Sequence, residues 1–295
     1  MPIVLDGTTG ITSPAVATPD FLDTNSLGMR NRLINGSMLI DQRNNGAAQT
    51  ITAAAALAYT VDRWYAYSTG ANVTGQQVAG ANANVYRYRF TGAAGVTAIG
   101  FGQRIEAIHC ADLAGTVATL SVDLANSVLT TVTWTAFYAN TTDTFGTLAS
   151  PTRTQIASGT FTVNSAVANY TTQISIPVAA STGIEIVFSV GAQTSGTWTI
   201  GNVQFEAGTV ATPLERRFYQ QEYFLCCRYY QTFGSAFSYG TGSAYVRFAG
   251  WWVVPFRATP TLVTSGGSWS HDRFGYTTVL ATNASAQILY VVSEL

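Results

Sequence analysis

Few side chains in this chain of 295 residues have the type and spacing that catalysis needs. His109-Cys110 pairs a potential base with a potential nucleophile, but neighbours on a strand point to opposite faces, so a structural role is expected. His271-Asp272-Arg273 lies between Gly267 and Gly275, a loop by composition. With no nucleophile beside them, His271 and Arg273 read as exposed contact residues. Asp112, Asp123 and Asp143 could supply a carboxylate pair, yet a glycosidase needs two at a set separation that spacing does not provide. The sequence holds no phosphate-binding loop, no Gly-x-Ser-x-Gly and no Cys/His metal spacing. A protein without catalytic residues, cofactor or metal is expected.

The aromatic residues are more informative. If Asp62-Arg63-Trp64 is on a strand, Asp62 and Trp64 share one face and Arg63 takes the other. A buried Trp64, with Asp62 bonded to a neighbouring donor, is preferred to a ligand-binding Trp. Trp251-Trp252 must split, one ring inward and one outward. The outward ring is an interface anchor or a sugar platform, since both tasks use flat apolar area with a polar edge. Tyr67 and Tyr138, with Tyr65, pose the same choice, and an interface is preferred.

The elements that must position these residues are mostly strands. Charged residues make up 10% of the chain while Thr, Ala, Gly, Ser and Asn abound, a profile suited to strands with small polar outward faces. All 14 basic residues are Arg. A GC-rich genome explains this blandly; surface taken up in interfaces, where Arg is favoured over Lys, is the functional reading. Net charge is −1, which gives no electrostatic case for nucleic acid or an anionic membrane. No apolar run approaches the ~20 residues of a membrane span. Residues 1–10 lack the basic and apolar regions of a signal peptide. Cys110, Cys226 and Cys227 are expected as free, mostly buried thiols of a protein made in a reducing cytoplasm.

Residues 1–30 read as a short hairpin and an extended arm, mobile or pinned by a partner. From 31 to 211, short alternating runs bounded by Gly, Asn and Ser predict a two-sheet sandwich of jelly-roll type, with first and last strands adjacent. In the run ending at Phe90, Tyr86, Tyr88 and Phe90 take the core side; Leu120, Val122 and Leu124 share another inward face. At Thr212-Pro-Leu-Glu215 a capping box predicts a helix start. The helix would set Tyr219, Tyr223, Cys226, Cys227 and Tyr230 on one side, too much aromatic surface to stay unpacked. Beyond Gly234 the runs 244–254, 261–264, 276–280 and 287–292 predict a small antiparallel sheet. The fold class is therefore mainly β: a jelly-roll sandwich over 31–211, then one helix and a small antiparallel β subdomain over 212–295, with an N-terminal arm.

Taken in order, several blocks resemble tailed-phage tail fibre and virion appendage proteins that carry a carbohydrate-binding-module-like jelly roll. They are Asn31 to Arg43 with its Asn35-Gly36 pair, Asp62-Arg63-Trp64, Gln103-Arg-Ile-Glu106, Gln204-Phe-Glu206 with Thr212 to Arg217, Leu225 to Tyr230, Phe256 to Pro260 and Ser293-Glu-Leu295. Asn35, Gly36, Asp62, Trp64, Gln204, Glu206, Thr212 and Glu215 are its structural markers. The resemblance implies a virion structural protein, a homotrimer, that takes part in host attachment. It implies residues 1–30 as the link to tail or baseplate proteins, a host-surface glycan as a further partner, and synthesis in the bacterial host cytoplasm before assembly into the virion. A carbohydrate-binding module as the main task, or a head-decoration spike, is the alternative. Relatives that bind calcium often have an acidic residue just before the closing strand; Gly201-Asn202 stands there instead.

Overall fold

The computed structural model describes residues 4–6, 10–12, 29–54, 56–80, 86–232, 236–238, 245–265, 268–281 and 285–295. The expected hairpin is present, β1 (Val4–Asp6) against β2 (Gly10–Thr12). The arm expected to follow it lies, up to residue 28, outside the described residues. Twelve strands then build the sandwich: β3 (Gln49–Ile51), β4 (Ala58–Tyr59), β5 (Tyr65–Thr69), β6 (Val73–Ala79), β7 (Tyr86–Thr91), β8 (Ala98–Ile105), β9 (Val117–Asn126), β10 (Thr131–Ala139), β11 (Arg153–Thr162), β12 (Ala168–Ser175), β13 (Ile184–Val190) and β14 (Thr197–Ala207). They form two six-stranded antiparallel sheets. The first runs β11-β10-β13-β8-β5-β4 and the second β12-β9-β14-β7-β6-β3. The chain repeatedly crosses between them, as in a jelly roll.

Alternation places the core as expected. Leu120, Val122 and Leu124 of β9 are fully buried, as are Ile184, Ile186 and Phe188 of β13. Tyr88 and Phe90 point inward from β7, while Tyr86 at its end stays exposed. The centre is an aromatic stack: Trp64 on Phe101 at 4.9 Å, Phe101 on Tyr88 at 5.2 Å, and Phe90 on Trp198 at 5.1 Å. Ring pairs of this kind add about 0.5–1.5 kcal/mol each beyond the area they bury.

The opening segment lies beside β14, the last sandwich strand, but it is not itself a strand. Arg32 N–H donates to the Phe205 carbonyl at 2.8 Å and Val203 N–H to the Gly36 carbonyl at 2.8 Å. Between these, the Asn31 side chain replaces backbone pairing, donating to Val203 O and accepting from Phe205 N–H. Asn35 then takes a left-handed φ of +57°, which ends any strand.

Three further expectations are corrected. Asp62-Arg63-Trp64 is a tight turn between β4 and β5, with Arg63 at φ +73°, so all three side chains can be buried. His109 and Cys110 sit on a single helical turn, α1 (Ala107–Cys110), rather than on a strand. No helix starts at Thr212. The aromatic helix is α2 (Tyr219–Cys227), entered from Phe218 without a side-chain cap. Its Cys226 and Cys227 are buried, with Cys226 packed in a cluster with Ile34, Ile40 and Tyr229, but Phe218, Tyr219 and Phe224 are exposed.

The C-terminal strands make two small sheets rather than one. Strands β15 (Tyr230–Thr232), β16 (Ala236–Ser238) and β18 (Thr261–Ser265) all pair with β21 (Ser285–Val292). Strands β17 (Tyr245–Trp251) and β19 (Ser268–His271) flank β20 (Gly275–Ala281). Among the described residues no helix is long and apolar enough to cross a membrane.

Candidate functional site

The motif residues come together, and what they make is a joint. Asn35 Nδ2 donates to the carbonyls of Ile40 and Asp62 at 2.8 and 2.9 Å, and its Oδ1 accepts from Ile40 N–H. Trp64 Nε1 donates to Asn35 O at 3.0 Å. A Cβ on Gly36 would overlap the Val203 carbonyl, so only glycine lets the opening segment approach β14. Asp62 accepts from Gln42 through both its backbone N–H and its amide, with Arg43 3.6 Å away. Burial, opposed mainly by Arg43, pushes the Asp62 carboxyl up to about 7.

Thr212 and Glu215 close the loop after β14 instead of capping a helix. The Thr212 hydroxyl donates to Glu206 at 2.6 Å, and Glu215 N–H donates to Gln204 Oε1 at 2.7 Å. Glu215 Oε2 in turn accepts from Asn31 N–H at 2.9 Å. The capping-box pattern marked a real polar exchange, but β14's own side chains supply the partners.

The Gln103-Arg-Ile-Glu106 block alternates between tasks. Gln103 bonds both backbone groups of Ile34 at 2.7 Å. Glu106 accepts from Tyr229 Oη at 2.7 Å, Arg257 Nε at 2.9 Å and Arg228 Nε at 3.1 Å, with His109 Nε2 3.6 Å away. Burial would raise this carboxyl, but the bonds from Tyr229 and Arg257 and the charges of Arg228 and Arg257 outweigh it and hold it below the usual range. Arg63 pairs with Glu294 and lies 3.5 Å over the Tyr229 ring, while Arg43 reaches Glu294 at 3.0 Å. Tyr59 Oη and Arg104 Nη1 both donate to the Leu295 carbonyl at 2.8 Å. Glu106, Arg43, Arg63, Tyr59 and Arg104 therefore hold the end of the helix and the last residues against the sandwich.

A different surface is left open. On the outer face of the first sheet, Tyr67, Gly100, Ser189, Thr133 and Thr160 stand in register across β5, β8, β13, β10 and β11. The next row is Tyr65, Gly102, Val187, Thr135 and Ser158. A Cβ on Gly100 would overlap the Tyr67 ring, so the ring lies across the sheet rather than standing off it. Tyr67 remains partly exposed, and burial raises its phenol, which stays protonated as a donor. The face is bounded by Glu185, fully buried, which accepts from Tyr65 Oη and Arg104 Nε at 2.7 Å and pairs with Arg153. Arg153 also lies 4.1 Å over the Phe137 ring. A partly exposed ring beside a row of hydroxyls spans about 19 Å at ~4.8 Å per strand step.

The other predicted contact residues are scattered. Trp251 and Trp252 do split: Trp251 is 83% exposed, whereas Trp252 is 5% exposed and packs on Phe256 and Tyr276. Burial removes Trp252 as a surface contact. Trp251 stands with exposed Val253 and Phe274, and Arg273 lies 5.1 Å over Phe274. His271 ends β19 instead of lying in a loop, with Nε2 2.9 Å from Pro260 O; Asp272 holds the following turn by accepting from Phe274 and Gly275 N–H. Tyr138 packs against the core side of β10. Asp123 accepts from Asn202, Asn169 and Arg87, so N–H donors fill the site beside Gly201-Asn202. Among the described residues no cluster of three His, Cys, Asp or Glu could hold a metal.

Sequence reading missed the row Gly100, Ser189, Thr133 and Thr160, and the arginine Arg153. One signal could have found it. Tyr65 and Tyr67 are two apart, as are Gly100 and Gly102, so two rings on one strand can lie over two bare positions on its neighbour.

No protein-family model matches the chain, and no curated protein does. Among solved structures, a CBM4 carbohydrate-binding module is similar at 17% identity and a TM-score of 0.38, over 59% of this chain and 98% of that one. The enzymatically active domain of bacteriophage CBA120 tailspike protein 4 is similar at 17% identity and a TM-score of 0.36, over 61% of this chain but 22% of that one. The module TmCBM61, in complex with β-1,4-galactotriose, is similar at 12% identity and a TM-score of 0.35, over 61% and 99%. All three are distant likenesses of fold.

Proposed function

We propose that this protein binds glycan without cleaving it, through the outer face of the first sheet, as part of a tailed-phage appendage that meets the host surface. The observation that carries the glycan reading is the Tyr67 ring laid over Gly100 in register with Ser189, Thr133 and Thr160. A pyranose presents an apolar C–H face and a rim of hydroxyls. The ring would take the first and the hydroxyl row, with Arg153 at its edge, would take the second. Glu185 supports a non-catalytic role, since its oxygens are already taken up by Tyr65, Arg104 and Arg153. The appendage reading, with residues 1–30 as the link to the particle, is supported by the ordered sequence blocks from Asn31 to Leu295.

A second reading is favoured by Trp251, whose exposed ring with Val253 and Phe274 offers an apolar tip of the kind that anchors an interface. An array of bacterial surface polysaccharides separates the two. Binding lost on Tyr67→Ala and kept on Trp251→Ala supports the sheet face; the reverse supports the tip. Reducing sugar released from a bound polysaccharide would overturn the non-catalytic assignment.

A further inference from the structure

The five strands of the open face, β5, β8, β13, β10 and β11, carry one acid, Glu185, and two bases, Arg104 and Arg153. Glu185 is fully buried and does not meet solvent. Its Oε1 accepts from Tyr65 Oη and Arg104 Nε, and its Oε2 pairs with Arg153. One carboxylate therefore serves two guanidiniums. Arg104 offsets its charge, which leaves that of Arg153 uncancelled.

The two arginines are used differently. All three nitrogens of Arg104 are taken: Nε by Glu185, Nη1 by the Leu295 carbonyl and Nη2 by the Gly146 carbonyl. Arg153 gives only Nη1, to Glu185. Its Nε and Nη2 make no hydrogen bond among the described residues, and neither is sealed from solvent. These two nitrogens form the side of a guanidinium that grips a carboxylate with two parallel bonds.

The position of Arg153 is set by the strand. β11 has a bulge at Ile156, opposite the step from Ala136 to Phe137 of β10. Without that extra residue, the alternation that turns Ser158 and Thr160 outward would turn Arg153 inward. With it, Gln155 and Arg153 share the outer face, while Ile156 and Ala157 both pack against the core. Bulges re-aim side chains in this way. The guanidinium then lies over the Phe137 ring at 4.1 Å, with one end fixed by Glu185. Little side-chain freedom is left to lose on binding. Arg153 is also the charge that opposes burial at the Tyr67 phenol, so it is felt at the stacking ring.

We propose that the glycan taken by this face is acidic, and that a sugar carboxylate of the uronic acid type seats on Nε and Nη2 of Arg153. The inference rests on the sheet face being the glycan site and adds the class of ligand. Hydroxyls alone would leave the guanidinium charge unmatched, whereas a carboxylate matches both the charge and the planar fork.

The test pairs each acidic polysaccharide on the array with the same polymer after its carboxylates have been reduced to alcohols. The wild type should lose at least ~tenfold in affinity on reduction, and added salt should weaken the acidic form alone. Arg153→Gln should lose that same factor toward the acidic form and bind the reduced form as the wild type does, because both changes remove one interaction. The comparison of the two forms on the wild type does not depend on how the variant folds. Equal binding of both forms by the wild type, or tightest binding of a neutral polymer through Tyr67, would overturn the inference and leave the sheet face as the site. Wild-type affinity of Arg153→Gln for the acidic form would overturn the role of Arg153. Binding of no polymer would overturn the sheet-face reading itself, and this inference with it.

Discussion

Replacing Glu106 with Gln should loosen the C-terminal residues from the sandwich without dissolving the sandwich itself. Glu106 follows β8 and is 4% exposed, and it gathers donors from Tyr229, Arg257 and Arg228. The amide removes the charge and turns one acceptor into a donor that faces a guanidinium. Breaking a fully buried ion pair costs about 3–5 kcal/mol. Arg228 and Arg257 are 28% and 17% exposed, so water can take over part of their hydration, and about 2–3 kcal/mol is expected. For a chain of this size ~1 kcal/mol moves Tm by about 2–4 °C, so the fall should be about 4–12 °C. The loss should land on the joint. Hydrogen exchange should show amides of β15 and β21 losing protection while those of β9 and β14 keep theirs. Acid should act in the same direction. Because this carboxyl titrates below its ordinary value, its contribution is present above the usual carboxylate range and is lost as pH falls through the folded-state value. An unchanged Tm, or protection lost evenly across both sheets, would refute the reasoning.

Three other outcomes follow from the same contacts. Asn35→Ala orphans Ile40 N–H and two buried carbonyls and puts alanine at φ +57°, so urea denaturation should show a loss of about 3–5 kcal/mol. Asp62, raised from 3.8 to about 7, binds a proton more tightly folded than unfolded, so its contribution is present below pH 4 and is lost as pH rises to about 7. Asp62→Asn should therefore flatten the fall in Tm over that window, and an unchanged slope would count against a buried, proton-binding Asp62. Cys110, Cys226 and Cys227 are buried, with burial pushing Cys110 up to about 12, so iodoacetamide at mildly alkaline pH should label none of them until denaturant is added.

How much of this was legible in the sequence depended on whether a residue's role was local. Strands such as β9 declared themselves, because Leu120, Val122 and Leu124 alternate with polar residues on a fixed period of two. The turn at Asp62-Arg63-Trp64 did not, because Arg63 adopts a left-handed φ that its residue type does not advertise. The Thr212-Glu215 pattern was read as a helix start because a capping box is written in four consecutive residues. The groups that claim them, Glu206 on the Thr212 hydroxyl, Gln204 on the Glu215 N–H and Asn31 N–H on the Glu215 carboxylate, reach them only once the loop lies beside β14 and the opening segment. The open face was hardest to see. It depends on Tyr67 meeting Gly100 and on Ser189, Thr133 and Thr160 arriving from three other strands. The helix aromatics give a mixed case: of the side expected to pack, Cys226, Cys227 and Tyr230 are buried, but Tyr219 remains exposed.

The central claim is that the Tyr67 row, and not the aromatic tip, holds a glycan. The direct measurement is calorimetric titration of a polysaccharide selected on the array into the wild type, Tyr67→Ala and Trp251→Ala. Loss of one stacking ring should weaken binding about 10- to 100-fold in Tyr67→Ala, while Trp251→Ala binds as the wild type does. Wild-type affinity in Tyr67→Ala would contradict the account.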